Sequence, residues 1–306
     1  MRALLKCWRA ASKRQLRLFL ILLDKPTIHG DNVNLHIRNM KGRRMKTQGF
    51  MKGGLKLLAL ATAFALCVVA FAGCASEEES DGYTLVEDGK LTVASSLDFP
   101  PFESLDGDTP TGFDIAVIQE VAKRMGLECN IKNTKFDTIL PAINSGQQFD
   151  VGISSITMDP DREEMVDFST PYYIADQAVV VVKDTYKTVD ELKGLKLGAQ
   201  SGTTGYYYGL EVISDDVTPY DEATACFAAL QSGNVQGVVI DLAVAESMVK
   251  NAYPNCEIIE KVATGEEYGI AVNKNNKQLT TAINDALDSM EKDGTLEALQ
   301  EQYLAS

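Results

Sequence analysis

Two stretches of this 306-residue chain repeat one pattern at the same offsets, and that duplication constrains the fold more than any other feature. Ala142-Ile143-Asn144-Ser145-Gly146, then Val151-Gly152-Ile153-Ser154, is echoed by Ala229-Leu230-Gln231-Ser232-Gly233, then Val238-Val239-Ile240-Asp241. Each copy reads as a helix end, a Ser-Gly cap and a buried strand whose C-terminal edge is polar. A chain carrying this unit twice is expected to build two similar lobes.

The surrounding alternation agrees. Residues 90–96 read as a strand, and a helix follows Gly112 with Ile115, Ile118, Val121, Ala122 and Met125 on one face and Gly126 as its stop. A strand over 127–131 leads to a helix over 137–145. Its Pro141 is tolerable only in the first turn, where N–H groups lack intrahelical partners. A strand over 149–154 and a helix over 160–166 come next. The apolar run 178–182 suits a strand passing from one lobe to the other. The scheme then restarts with a strand over 195–200, a Gly-rich loop over 201–205 and a helical piece over 206–210. Residues 268–272 read as a return strand, and helices over 278–292 and 295–303 close the chain. Strands alternating with helices predict an α/β fold, each lobe a mostly parallel sheet flanked by helices. Lobe 1 is expected over 85–177 and 270–306, and lobe 2 over 178–269. A lobe entered, left and rejoined has two hinge crossings side by side, with a cleft where strand ends face one another.

Charge separates the N-terminus from this body. Residues 1–50 hold 12 Lys and Arg against 2 acids, whereas residues 51–306 hold 17 against 41. An acidic body repels nucleic acid and anionic lipid, which excludes both as expected partners. From Met51, a short cationic head precedes an apolar run too short for a comfortable membrane span. It ends in Phe71-Ala72-Gly73-Cys74, which resembles the lipobox of bacterial lipoproteins. Residues 51–73 are therefore expected to be a signal peptide, Cys74 a lipidated N-terminus and 74–84 a flexible tether. A plain signal peptide cleaved nearby is the competing reading. Residues 1–50 are expected to lie outside the mature protein. The implied location is the extracytoplasmic face of the membrane.

Three cysteines lie beyond Cys74: Cys129, Cys226 and Cys256. A Cys226–Cys256 disulfide is possible outside the cytoplasm, but free thiols are the favoured reading. With no histidine in this region and no CxxC, no metal site is expected, and no cofactor.

The candidate chemistry centres on residues 149–162, where a strand runs out into Ser154, Ser155 and Thr157 before a helix N-terminus, a place suited to an anion. Arg162 adds a planar fork that matches a carboxylate in two parallel hydrogen bonds. Thr203, Thr204 and Asp241 stand at strand ends of the other lobe, and Phe99 and Phe136 offer flat apolar surface. An arginine suits a carboxylate and an aspartate suits an ammonium. Together they describe a free α-amino acid held as a zwitterion.

Short motifs in a fixed order now carry a resemblance. They are Phe99-Pro100-Pro101-Phe102-Glu103, Gly112-Phe113-Asp114-Ile115, Phe136-Asp137-Thr138-Ile139-Leu140-Pro141, residues 154–162, Val166-Asp167-Phe168-Ser169-Thr170-Pro171-Tyr172, Ser201-Gly202-Thr203-Thr204-Gly205 and Val239-Ile240-Asp241. The chain resembles the extracellular solute-binding proteins of bacterial polar amino acid ABC transporters, with their two-lobed periplasmic-binding-protein-like fold of type II. The resemblance implies that Arg162 clamps the ligand carboxylate with the backbone at Thr157 and Thr204. It implies that Asp241 takes the ammonium with help from Ser155, and that Phe99 and Phe136 sandwich the side chain. Ser96 stands where relatives specific for basic amino acids commonly carry aspartate, and Asp98 or Asp114 nearby are alternative cation acceptors. Tyr172, Tyr173 and Tyr206 to Tyr208 are further candidates for the pocket. The implied partner is a membrane permease, and the implied state a monomer. Two other classes remain: an extracytoplasmic dehydratase using Asp98 or Glu103 as acid or base, and a sensor read by a separate protein.

Overall fold

A computed structural model describes residues 82–304. The expectations for residues 1–50, for the signal at 51–73 and for Cys74 lie outside the described residues.

The chain enters through β1 (Lys90–Ser95), the hairpin β2 (Ser104–Asp106) and β3 (Thr109–Thr111), then α1 (Phe113–Arg124) and β4 (Glu128–Asn133). It continues with α2 (Phe136–Ser145), β5 (Val151–Gly152), α3 (Pro160–Met165) and β6 (Asp167–Phe168). After the long β7 (Tyr173–Val182) come β8 (Leu197–Gln200), α4 (Thr204–Tyr208), β9 (Val217–Tyr220), α5 (Ala223–Gln231) and β10 (Gly237–Asp241). Then follow α6 (Leu242–Asn251), β11 (Cys256–Tyr268), β12 (Ala271–Val272), α7 (Lys277–Lys292) and α8 (Thr295–Leu304).

Two five-stranded sheets result, ordered β4-β1-β5-β12-β6 and β11-β7-β10-β8-β9. Each is mixed. β1 runs parallel to β4 and β5, and β8 to β9 and β10. The antiparallel pairs all involve β12 or β7, the strands at the crossings between sheets. β7 leaves the first sheet's chain for the second, and β11 returns beside it, paired from Cys256↔Val182 to Tyr268↔Tyr173. The crossings are thus one hydrogen-bonded ribbon.

Side-chain alternation explains why β7 reads as an unbroken apolar run. Ala178 and Val180 join one buried cluster, Val179 and Val181 the other, so both faces of the strand are covered. β10 splits likewise, with Val238 and Ile240 on one side and Val239 on the other. The repeated unit is present in both lobes: α2 and α5 each run into a Ser-Gly end whose glycine, Gly146 or Gly233, adopts a left-handed φ of 64° or 76°. The strands β5 and β10 follow.

Some boundaries differ from expectation. α2 begins at Phe136, so Pro141 lies beyond its first turn and removes one rung of the backbone ladder. Burial of Ile139 and Ile143 against Ala94, Ile156 and Ala271 compensates. The strand expected over 149–154 is reduced to β5, because Ser155 takes a positive φ of 50° and turns the chain away. Among the described residues Cys129, Cys226 and Cys256 are all free thiols.

Candidate functional site

Strand ends of the two sheets meet around one cavity of about 250 Å³, lined by Phe99, Phe136, Ser154, Ser155, Thr157, Arg162, Gln200, Thr203, Thr204 and Asp241. Of the ten residues the sequence assigns to the ligand site, namely Ser96, Phe99, Phe136, Ser154, Ser155, Thr157, Arg162, Thr203, Thr204 and Asp241, all but Ser96 line it. Ser96 stands behind the wall: its N–H donates to Ser154 Oγ at 3.0 Å, and its hydroxyl turns away to donate to Asp98 Oδ1 at 2.7 Å.

Arg162 is held rather than solvated. Its side chain is 11% exposed; Nη1 donates to the Thr157 carbonyl at 2.7 Å, Nη2 to the Gly202 carbonyl at 2.9 Å, and Nε lies 3.1 Å from Asp159. These contacts use one N–H of each nitrogen. A guanidinium carries five, so each terminal nitrogen keeps one for a further acceptor. The guanidinium carbon also sits 5.6 Å from the Phe136 ring centre, within cation–π range. Burial pulls the Arg162 pKa below its ordinary value, opposed by the negative charges of Asp159, Glu266 and Asp241.

The helix N-terminus does not play the part expected of it. Asp159 caps α3 by accepting from the Arg162 N–H at 2.9 Å, so an anion of the chain itself already occupies that end. Recognition of an outside anion falls to the guanidinium instead.

Asp241 ends β10 from the second lobe. Gln177 Nε2 donates to its Oδ1 at 2.7 Å, and the Tyr268 hydroxyl donates to Oδ2. Burial, reinforced by the nearby charge of Glu266, pushes its pKa up to about 7, while Tyr268, Gln177 and Arg162 pull it back. A carboxylate so placed gains from any cation brought within bonding distance.

Beneath the serines lie two buried carboxyls. Glu103 accepts from Ser154 Oγ at 2.8 Å and Ser155 Oγ at 3.3 Å; Asp114 accepts from the Ser155 N–H and the Tyr172 hydroxyl, both at 2.7 Å. Burial raises Asp114 to about 6. Glu103 rises well above the ordinary range through burial and the charge of Asp114. Asp114 lies in the first turn of α1, whose N-cap is Gly112. Its carboxylate fixes the left-handed turn at Ser155.

The remaining acidic and aromatic candidates lie outside the cavity. Asp98 has both oxygens engaged, Oδ1 by Ser96 and Oδ2 by the Ala223 N–H at the start of α5, 2.6 Å away across the cleft. Tyr172 and Tyr173 pack with Phe102, Phe113 and Tyr268 at the base of the hinge. Tyr206, Tyr207 and Tyr208 line an adjoining outer groove, which shares Phe136, Arg162 and Thr204 with the cavity. Three polar residues were not anticipated: Gln200 in the wall, and Gln177 and Tyr268 behind Asp241. Gln177 is the buried polar interruption just before the apolar run of β7, the one cue available for it. Among the described residues, no group of three His, Cys, Asp or Glu side chains is placed to hold a metal ion.

Residues 91–306 match the profile of the bacterial extracellular solute-binding proteins, family 3. The chain is 35% identical over 226 residues to the L-cystine-binding protein TcyJ of Escherichia coli (strain K12), covering 72% of this chain and 84% of that protein. Among solved structures it is similar to an ancestral arginine-binding protein bound to glutamine, with a TM-score of 0.67 and 38% identity over 72% of this chain and 100% of that one. It is also similar to the ancestral amino acid-binding protein AncCDT-1, a precursor of cyclohexadienyl dehydratase, with a TM-score of 0.66 and 32% identity over 71% and 96% of the two chains.

Proposed function

Because the chain belongs to the bacterial extracellular solute-binding proteins of family 3, we propose that it captures one free polar amino acid between its lobes and delivers it to an ABC transporter permease. The observation carrying this is that Arg162 and Asp241, one cation and one anion, line the same small cavity. An α-amino acid pairs both, which matters because a buried charge without a partner costs several kcal/mol. In this reading the free N–H groups of Arg162 take the carboxylate, with the backbone at Thr157 and Thr204. Asp241 and Ser155 take the ammonium. Phe99 and Phe136 sandwich the side chain, and Ser154, Thr203 and Gln200 complete the wall. Ser96 acts from behind, through Ser154. The lobes comprise residues 85–177 with 270–306, and 178–269, and they open about the β7–β11 ribbon. Lipidation at Cys74 tethers a monomer outside the cytoplasm.

Likeness to a dehydratase precursor favours one second reading, an enzyme on this scaffold. Neither Asp98 nor Glu103, the carboxyls suited to acid–base work, lines the cavity, and this favours the binder. A thermal-shift screen against the common amino acids, L-cystine and arogenate separates the two. A ligand at a hundredfold excess over its Kd stabilises the folded state by about 2.7 kcal/mol. The expected result is a higher melting temperature with one or a few polar amino acids, L-arginine, L-glutamine and L-cystine being the first to try. No shift with any amino acid, or conversion of arogenate to an aromatic product, would overturn the proposal.

A further inference from the structure

A carboxylate that no part of the amino acid reading uses stands at the edge of the Arg162 grip. Glu266 lies near the end of β11, opposite Ala175 of β7, beside a register shift in the ribbon. It is half-buried and absent from the cavity wall. One oxygen, Oε2, accepts from Thr157 Oγ1 at 2.7 Å and from Thr204 Oγ1 at 2.6 Å. Thr157 follows β5 of the first sheet, whereas Thr204 opens α4 beside the second. Both line the cavity that Glu266 does not reach.

The two bonds differ in what holds them. Thr157 is fixed to the ribbon by backbone pairing: Met158 N–H donates to the Glu267 carbonyl at 2.8 Å, and Gly269 N–H donates to the Ile156 carbonyl at 3.1 Å. Glu266 and Thr157 are therefore tied together at the hinge end of the ribbon, where Glu266 pairs with Ala175 of the first lobe. No comparable backbone pairing is seen between Thr204 and Glu266, so this bond depends on where the second lobe stands. Thr204 Oγ1 also accepts from Gln177 Nε2 at 3.3 Å, and the same nitrogen donates to Asp241 at 2.7 Å. A continuous chain of hydrogen bonds thus runs from Thr157 through Glu266, Thr204 and Gln177 to Asp241, joining the two ends of the site.

A negative charge beside a grip for a carboxylate is unfavourable by Coulomb's law unless it gives something in return. The return is geometric. We propose that Glu266 is a positioning residue, resting on the amino acid reading above, that locks Thr157 and Thr204 into one arrangement when the lobes meet and so slows release of the bound amino acid. With both hydroxyl protons turned to Glu266, the threonines face the cavity through backbone N–H groups and oxygen lone pairs. When the lobes part, Thr204 leaves Glu266 while Thr157 stays. Hydrogen bonds to a charged acceptor are the stronger kind, and their loss is felt in dissociation.

Stopped-flow release of L-arginine, L-glutamine or L-cystine, whichever binds the wild-type full chain, tests this with Glu266→Ala, Glu266→Gln, Thr204→Val and the Glu266→Ala/Thr204→Val double variant. Glu266→Ala is expected to release the amino acid about tenfold faster or more. Glu266→Gln, whose amide oxygen still accepts both hydroxyls, should restore release to within about threefold of wild type. Adding Glu266→Ala to Thr204→Val should change little, because the bond that crosses between the lobes is already gone and the one to Thr157 is kept whether the lobes are together or apart. Unchanged release in Glu266→Ala, no rescue by glutamine, or multiplying effects in the double variant would each overturn the proposal. Should Glu266→Ala fail to melt cooperatively, Thr204→Val must by itself speed release. Failure of wild type to bind any common amino acid would strike the functional reading instead, which keeps the two failures distinct.

Discussion

Arg162→Ala is expected to weaken amino acid binding by two to three orders of magnitude. The guanidinium, on a side chain only 11% exposed, offers two uncommitted N–H groups to a carboxylate, and breaking a buried pair costs about 3–5 kcal/mol. The same deletion severs the 2.9 Å bond to the Gly202 carbonyl, one of the contacts holding the lobes together. Arg162→Lys should recover only a small part, because an ammonium cannot reproduce the planar fork. Titration calorimetry on the three proteins checks this. Affinity within threefold of wild type in Arg162→Ala would remove the guanidinium from the site.

Asp241→Asn should cost binding nearly as much, and its pH behaviour makes the prediction sharper. With its pKa raised to about 7, Asp241 is partly protonated at neutral pH, and an ammonium is bound well only by the ionised form. Wild-type affinity should therefore fall as pH drops below about 7, by up to tenfold per unit, with protons released on binding. The asparagine variant should bind weakly and without that slope. Stability should move the opposite way. A carboxyl whose folded pKa is raised from 3.8 contributes stability below that value and loses it as pH rises through about 7. Asp241→Asn is thus expected to melt higher than wild type at pH 8 and not at pH 4. Its amide need not be left unpaired, since Gln177 Oε1 is buried without a partner and can accept from it once the side chain turns over. A wild-type affinity flat between pH 5 and 8 would contradict this account of Asp241.

The lobes and most of the cavity wall were legible in the sequence because both depend on local pattern. The duplicated helix, cap and strand fixed where strand ends fall, and polar residues at strand ends face a cleft almost by construction. Residues acting through others were not legible. Tyr268 sits in a strand where aromatic packing is the ordinary expectation, and only the fold brings its hydroxyl to Asp241. Glu266 is one of two adjacent glutamates on a partly exposed strand, so nothing local distinguishes it. Asp159 was hidden for a different reason. A helix N-terminus beside an arginine suggests an anion site, but the preceding aspartate caps the helix and engages only Nε of the arginine. Ser96 failed because its hydroxyl had a nearer partner, Asp98, two residues along. For Asp159 and Ser96 a short-range bond took precedence over the role that composition and position suggested.

The central claim is that the two ends of a zwitterion are gripped by opposite charges, and analogues of the ligand test it most directly. For the amino acid that most raises the melting temperature of the full chain, calorimetry should compare it with its methyl ester, which has lost the carboxylate charge, and its desamino acid, which has lost the ammonium. Both analogues are expected to bind at least a hundredfold more weakly than the parent. Either analogue binding as tightly as the amino acid itself would contradict the claim.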